Sequence, residues 1–385
     1  MLRRRVRGRA LNARGVFLHA RDLDTDFTAG WDRLVAARGV YADCFDTYTW
    51  AASVMHADPV AARRIRIAAV LDEPTGKPVS LLALEDLDGR GRFASFAEDR
   101  PRSRVVAERA SHDELGALAD QLAASGVRDL RLRRMPSRDP ATHRLLGALR
   151  RAGYRVHARE RSSDMLADVT DGWAGHRARF ASFHAQARRL HRKLARRGDV
   201  ALTAYTRPGE ADTGFAAYAA LFPRSWKGPL TERTRTERRE LVRRTAENGW
   251  LRLYVLRVDG RPAATYLWFR VGAVALWHST AYDEEFAGLG VGNLAMWQAH
   301  EHILVADPTD PPTLVDLLPT TTSQKLRLAP ERPPLLDIEA VRDRPLTAAA
   351  LPVRALARTA RASAAGRIRA RRRGRTTAST GGTKA

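Results

Sequence analysis

Cysteine is nearly absent: Cys44 is the one thiol in 385 residues. A single thiol excludes an intramolecular disulfide and a cysteine-based metal cluster, and it fits a reducing compartment such as the cytoplasm. No His, Asp and Glu cluster has metal-ligand spacing, so no metal is expected. No apolar run reaches the ~18–20 residues that span a bilayer, so no transmembrane segment is expected. The basic start Arg3-Arg4-Arg5 leads into no apolar stretch, so no secretory leader is expected either. Acids are missing locally. Residues 1–14 hold six arginines and no acid, and residues 351–385 hold nine arginines, one lysine and no acid. The net charge of +23 is therefore concentrated at the ends. The other 50 basic residues, against 43 acids, leave +7 for residues 15–350. We expect a weakly basic body between a basic, disordered arm (1–14) and a basic, disordered tail (341–385). Such ends read first as solvated tails, which could also make weak, non-specific contact with nucleic acid or an anionic membrane.

The 44% hydrophobic content is enough for the cores of two ordinary domains. Ile65–Leu71 and Val79–Leu84 read as a hairpin, and Arg128–Arg134 as a half-buried strand. Ser111 to Glu114 is a capping box before a helix to about Ala124, and Pro140–Ala152 is a second helix. Tyr154–His157 and Met165–Val169 read as edge or terminal strands. After a break at Asp171-Gly172, His176 to Arg197 reads as one helix. Its apolar stripe is Phe180, Phe183, Ala187, Leu190 and Leu194, and eight Arg and Lys residues surround the stripe. That basic face is either solvated or a docking surface for a phosphate-bearing ligand. A further capping box, Thr234 with Glu237, opens a helix to about Ala246. The strands Leu251–Val258, Ala263–Val271 and Val274–Thr280 follow, then a strand at Thr313–Leu318. Lys325–Ala329 and Leu335–Ile338 read as a final strand pair. The turns Gly76-Lys77-Pro78 and Gly260-Arg261-Pro262 lie 184 residues apart in similar settings. Two similar α/β units in tandem, 15–170 and 171–340, account for this.

One element lacks a counterpart in the first half. It is Asp283-Glu284-Glu285, the run Gly288-Leu289-Gly290-Val291-Gly292, and a helix from Asn293 to about Leu304. Glycine permits close backbone approach, and the first N–H groups of a helix are free to bind an anion. The run is neither a dinucleotide fingerprint, because its third glycine comes one residue early, nor a P-loop, because no Lys-Ser/Thr follows.

The order of elements in 170–340 resembles the N-acetyltransferase fold of the GNAT superfamily. More narrowly, the chain is similar to the tandem-domain group of BioF-like, or cellulose-biosynthesis-type, acetyltransferases, which are related to Fem-type peptidyltransferases. Five stretches carry the likeness over about residues 25–340. They are Phe45–Trp50, Arg188–Gly198, Trp226-Lys227, Gly249–Tyr254 leading to Asp259–Pro262, and Ala281-Tyr282-Asp283 leading to Gly292. The resemblance implies an α/β (α+β) fold: two GNAT-like domains, each a mixed, mostly antiparallel sheet flanked by helices. They would pack as an internal pseudo-dimer within a monomer. Two departures stand out. The usual Gln or Arg three residues before the G-x-G is here Ala287 or Glu285. After Asp316, the expected glycine, acid and tyrosine are replaced by Leu317 to Gln324, although Lys325 is present.

The resemblance implies acyl transfer to an amine. Gly288, Gly290, Val291, Gly292 and Asn293 would hold the phosphates of acetyl-CoA or another acyl-CoA as co-substrate. Candidate bases are His278, Asp283, Glu284 and Glu285; His278 also reads as a core histidine, and the acids as surface and cap charges. Trp226, Lys227 and Lys325 are candidate contacts to a small-molecule amine acceptor. Three functions are open at this point: an acyl-CoA-dependent N-acyltransferase, an aminoacyl-tRNA-dependent transferase, and a non-catalytic binding protein on the same scaffold.

Overall fold

The computed structural model describes residues 13–342 apart from 98–99, 197, 307–309 and 321. The expected arm and tail therefore lie outside the described residues except at their inner ends. There Ala13 and Arg14 open a strand and Val341 closes one. In chain order the first half holds β1 (Ala13–His19), α1 (Thr25–Ala36), α2 (Tyr48–Ala57), α3 (Pro59–Ala62), β2 (Ile65–Asp72) and β3 (Pro78–Asp86). It continues with β4 (Arg92–Ser95), β5 (Val106–Ala107), α4 (His112–Ala124), β6 (Asp129–Pro136), α5 (Pro140–Arg151) and β7 (Arg155–Ser163). The second half holds β8 (Leu166–Asp168), α6 (Gly172–Arg179), α7 (Ala181–Ala195), β9 (Val200–Tyr205), α8 (Ala211–Leu221) and α9 (Glu232–Glu247). It ends with β10 (Leu251–Val258), β11 (Arg261–Val271), β12 (Val274–Tyr282), α10 (Val291–Val305), β13 (Leu314–Asp316), α11 (Ser323–Leu328) and β14 (Pro334–Val341).

Two mixed sheets result. The first runs β1-β2-β3-β4-β6-β14-β7, with β5 on β3, and the second runs β8-β13-β12-β11-β10-β9. Each is antiparallel except for one parallel pair, β4 with β6 and β12 with β13. The repeated hairpins are real. Gly76 and Gly260 both adopt positive φ (65° and 74°), and Asp259 (50°) joins Gly260 in the two-residue loop between β10 and β11. Positive φ at both central residues is the turn whose twist matches a tight hairpin, and Asp-Gly supplies it.

Four expectations need correction. The His176–Arg197 helix is two helices, because Phe180 leaves helical geometry (φ −115°, ψ 39°); Arg197 lies outside the described residues. The cap of α9 is Thr231, which accepts from the Thr234 N–H, rather than Thr234. Lys325 to Leu328 is helical, capped by the Thr322 hydroxyl accepting from the Lys325 N–H at 3.2 Å. Finally, strands cross the expected division at 170. The segment β8 pairs with β13 of the second sheet. The last strand, β14, fits between β6 and β7 of the first sheet, where both edges are free to hydrogen-bond it.

One apolar core is continuous through both halves. Trp31, Phe45, Trp50 and Phe96 from the first half pack in the same cluster as Phe215, Tyr218, Phe222, Phe269 and Leu276 from the second. Full burial of each such side chain contributes about 1.5–3 kcal/mol, so the two sheets are held as one body by this shared core. Among the described residues no helix is long and apolar enough to cross a membrane.

Candidate active site

The parallel strands β12 and β13 pair only over Val274–Leu276 with Leu314–Asp316. Past that point they part. A cavity of about 590 Å³ opens between β12, the start of α10 and the segment after β13.

The floor of the cavity is β12. Leu267 opposes Ser279 while Trp268 opposes Trp277, so His278 is an extra residue in a β-bulge. A bulge re-aims side chains that strict alternation would send to opposite faces. Here it turns both His278 and Ser279 toward the shared core. His278 stacks on Phe45 of the first half (5.7 Å) and meets Phe269 edge-on (5.2 Å). Burial, then the charges of Arg238 and Lys227, push its imidazole down to about 3. It is therefore neutral at working pH, and its Nδ1 has no hydrogen-bond partner. Beside it, the Tyr218 hydroxyl donates to Ser279 Oγ (3.1 Å), and Arg238 donates to the Tyr218 hydroxyl (2.6 Å). Burial pushes the Tyr218 phenol up, so it keeps its proton. With its oxygen accepting from Tyr218, the Ser279 hydroxyl has its own proton available for the cavity. A guanidinium at the head of the chain polarises each bond below it.

The wall is the start of α10. A 3-10 turn, Glu284–Leu289, leads to Gly290 (φ 70°, ψ 26°), which caps the helix in left-handed geometry. A Cβ on Gly290 would come within 2.9 Å of Leu190 Cδ2, part of the apolar stripe of α7. The basic helix thus docks on this turn through Leu190. Gly288 has open space and no left-handed φ. Of the expected cradle residues, Gly290, Val291, Gly292 and Asn293 line the cavity and Gly288 does not. The first N–H groups of α10 have no intrahelical acceptor and carry the positive end of its dipole. A Gly290→Ala change is expected to cost about 1–2 kcal/mol from the left-handed backbone plus the Leu190 contact. Gly288→Ala is expected to be neutral. Urea denaturation of both variants is the check, and equal midpoints would refute the requirement at Gly290.

The rim and roof carry cations. Trp226 lies against Tyr282 (ring centroids 4.5 Å), and the Lys227 amine sits over the Trp226 ring at 5.5 Å. Lys325 is buried, with its amine over the Trp277 ring at 4.8 Å. Burial pushes the Lys325 amine down to about 8, whereas Lys227 is exposed at the rim.

The three candidate acids are elsewhere. Asp283 is buried, caps the 3-10 turn by accepting from the Glu285 N–H (3.1 Å), and pairs with Arg224 at 3.0 Å. Glu285 pairs with Arg261 at 2.6 Å on the surface, and Glu284 is exposed. None lines the cavity, so the acids are turn and surface charges. Sequence reasoning missed Ser279, Tyr218 and Arg238, which lie on three elements and share no motif.

Behind α10, His176, His184 and His300 form a buried cluster with Trp173 and Trp297. His176 stacks on His300 (5.4 Å), and Trp297 Nε1 donates to His184 Nδ1 (2.6 Å). Burial holds the three imidazoles down to about 2, 4 and 4. They are neutral packing groups that fasten α6 and α7 to α10. Outside this packing, Arg188, Arg189, Arg192 and Lys193 on α7, and Arg196 at its C-cap, are exposed.

Residues 181–317 match the family model of the acetyltransferase (GNAT) domain. That segment carries the likeness to the GNAT family. It contains both the bulged strand and the helix start described above. The fold of most of the chain is shared with the crystal structure of a conserved protein of unknown function from Bacteroides thetaiotaomicron VPI-5482. The TM-score is 0.55 at 13% identity, covering 82% of this chain and 97% of that one. It is shared as well with FemX, at a TM-score of 0.54 and 13% identity, covering 86% of this chain and 98% of that one. At such identities the likeness is one of fold. No curated protein matches the chain in sequence.

The GNAT-like segment is tied to the first half by a buried charge hub. Arg102, fully buried, reaches Asp43 (2.5 Å), Asp164 (2.6 Å) and Asp316. Burial pushes the Asp43 carboxyl up, yet Arg102 and Arg104 hold it below its ordinary value. Burial leaves Asp316 raised despite the same guanidinium. Asp316 therefore fixes the end of β13 in the GNAT-like segment and does not line the cavity.

Proposed function

We propose that this protein is an N-acyltransferase that moves an acetyl or other acyl group from acyl-CoA to an amine acceptor by direct attack. The observation that carries the reading is the cavity where β12 and β13 part. It brings a helix start, a polarised hydroxyl and a neutral imidazole around one space. The donor's pyrophosphate would lie on the N–H groups of Val291, Gly292 and Asn293. The Ser279 hydroxyl would donate to the thioester oxygen as negative charge develops there. His278 Nδ1 would accept a hydrogen bond from the attacking amine and orient its lone pair toward the carbonyl carbon. The N–C bond forms and the C–S bond breaks. The proton lost by the amine ends on the leaving thiolate, giving an amide and free CoA. His278 is too weak a base to keep that proton, so its part is orientation.

Calorimetric titration of the full chain with CoA and acetyl-CoA is expected to show one saturable site. Absence of saturable binding at millimolar ligand would rule the reading out. A second reading, an aminoacyl-tRNA-dependent transferase, is supported by the exposed basic face of α7, docked on the same turn through Leu190. Co-purified tRNA, released steeply as salt rises, would favour it.

A further inference from the structure

Of the 66 basic residues in the chain only five are lysines, and two of the five, Lys227 and Lys325, line the cavity. Arginine serves elsewhere, as at Arg102, where a rigid fork meets fixed carboxylates. A lysine places a compact charge on a flexible stem, which suits a ligand that arrives and leaves. Lys325 is 8% exposed. Its amine has the Trp277 face beside it and no carboxylate in ion-pairing reach among the described residues. The acid that acts on it from farther away, Asp316, is already engaged by Arg102. Among the described residues, the cavity lining contains no Asp or Glu; its other polar side chains include His278, Ser279, Thr280 and Thr322. A buried ammonium without a counter-charge is costly. Both charged side chains in the lining are positive, and the helix start adds to the same sign.

We propose that Lys325, with Lys227 at the rim, holds an anionic group, a carboxylate or a phosphate, on the amine acceptor. The inference rests on the acyltransferase reading for the words "amine acceptor". It adds the acceptor's second functional group. The donor's phosphates belong to the start of α10, whereas Lys325 stands on α11, so the two anions have separate holders.

The test compares matched acceptors, an amino acid against its carboxamide and an aminoalkyl phosphate against the plain amine. Thiol release from acetyl-CoA by the full chain is the readout. The wild type is expected to favour the anionic member by about 10- to 100-fold in kcat/KM, the size of one charge-assisted hydrogen bond. Lys325→Met should collapse that ratio, mainly through KM, while the calorimetric Kd for acetyl-CoA moves by less than about twofold, the scatter of such a measurement. No preference in the wild type would overturn the proposal. So would a loss of acetyl-CoA affinity in Lys325→Met as large as the loss for the acceptor, because the anion would then belong to the donor. A donor-free arm separates the two readings. Inorganic phosphate is titrated while the side-chain NMR signals of the five lysines are followed, with Lys325 assigned through its variant. If acetyl-CoA fails to bind and phosphate still moves the Lys325 signal, the donor reading falls and the anion subsite stands. A Lys325 signal that never responds to phosphate overturns the subsite.

Discussion

Arg102→Leu is expected to lower the free energy of unfolding by about 3–5 kcal/mol, the usual consequence of removing one partner from a buried charge group. The Arg102 guanidinium is fully buried and serves three carboxylates at once: Asp43 from the first half, Asp164 from the crossing between the sheets, and Asp316 from β13. Leucine would leave all three in the interior with their charges unmatched. They would respond by holding protons, with folded-state pKa values above the unfolded ones. The folded variant then binds more protons than its unfolded chain, so its stability falls as pH rises through that window. The deficit against the wild type is thus larger at pH 7 than at pH 5. Urea denaturation at both values measures it. A loss below about 1 kcal/mol, the range of an exposed pair, would show that the hub is not a structural tie. Because β13 ends at Asp316 and the cavity begins just beyond it at Leu318, the variant should also bind acetyl-CoA more weakly.

Ser279→Ala is expected to reduce kcat by about 10²–10³-fold with little change in acetyl-CoA affinity, the effect of losing one donor to a developing oxyanion. Tyr218→Phe leaves Ser279 in place but removes the hydroxyl that feeds it, so a smaller loss of about 10-fold is expected, matching one neutral hydrogen bond. The pair discriminates. A structural role for Ser279 would lower stability and spare kcat in the folded fraction. An unchanged kcat in Ser279→Ala would sink the assignment and leave His278 and the helix start as the site.

Much of the architecture was legible because it rests on local chemistry. The Ser111 capping box forms as read, with Glu114 returning to the Ser111 N–H. The two hairpins 184 residues apart form because Gly76 and Gly260 tolerate positive φ. Gly290 could be read as a turn glycine ahead of a helix for the same reason. Where local patterns were ambiguous, the reading failed in identifiable ways. The stripe from Phe180 to Leu194 begins at the break, so its helical spacing describes α7 alone and carries no information on whether His176 to Arg179 continue the same helix. Lys325 to Leu328, short and apolar in part, fits a strand or a helix turn equally well; the Thr322 cap and the surrounding packing made it helical.

The sequence by itself determined the tandem α/β pattern and the turn before α10, since each follows from propensity and spacing along the chain; Lys227 and Lys325 became candidates through the family resemblance. Only the tertiary structure decided the site. A bulge at His278 has no glycine or proline to announce it, because it is set by the register of β12 against β11. The polarised hydroxyl at Ser279 needs Tyr218 and Arg238, which are 61 and 41 residues away along the chain. The insertion of β14 into the first sheet, and the clasp of Arg102 on Asp316, depend on which edges and charges remain unpaired after everything else has packed. Those are properties of the folded surface and cannot be written in any one stretch of residues.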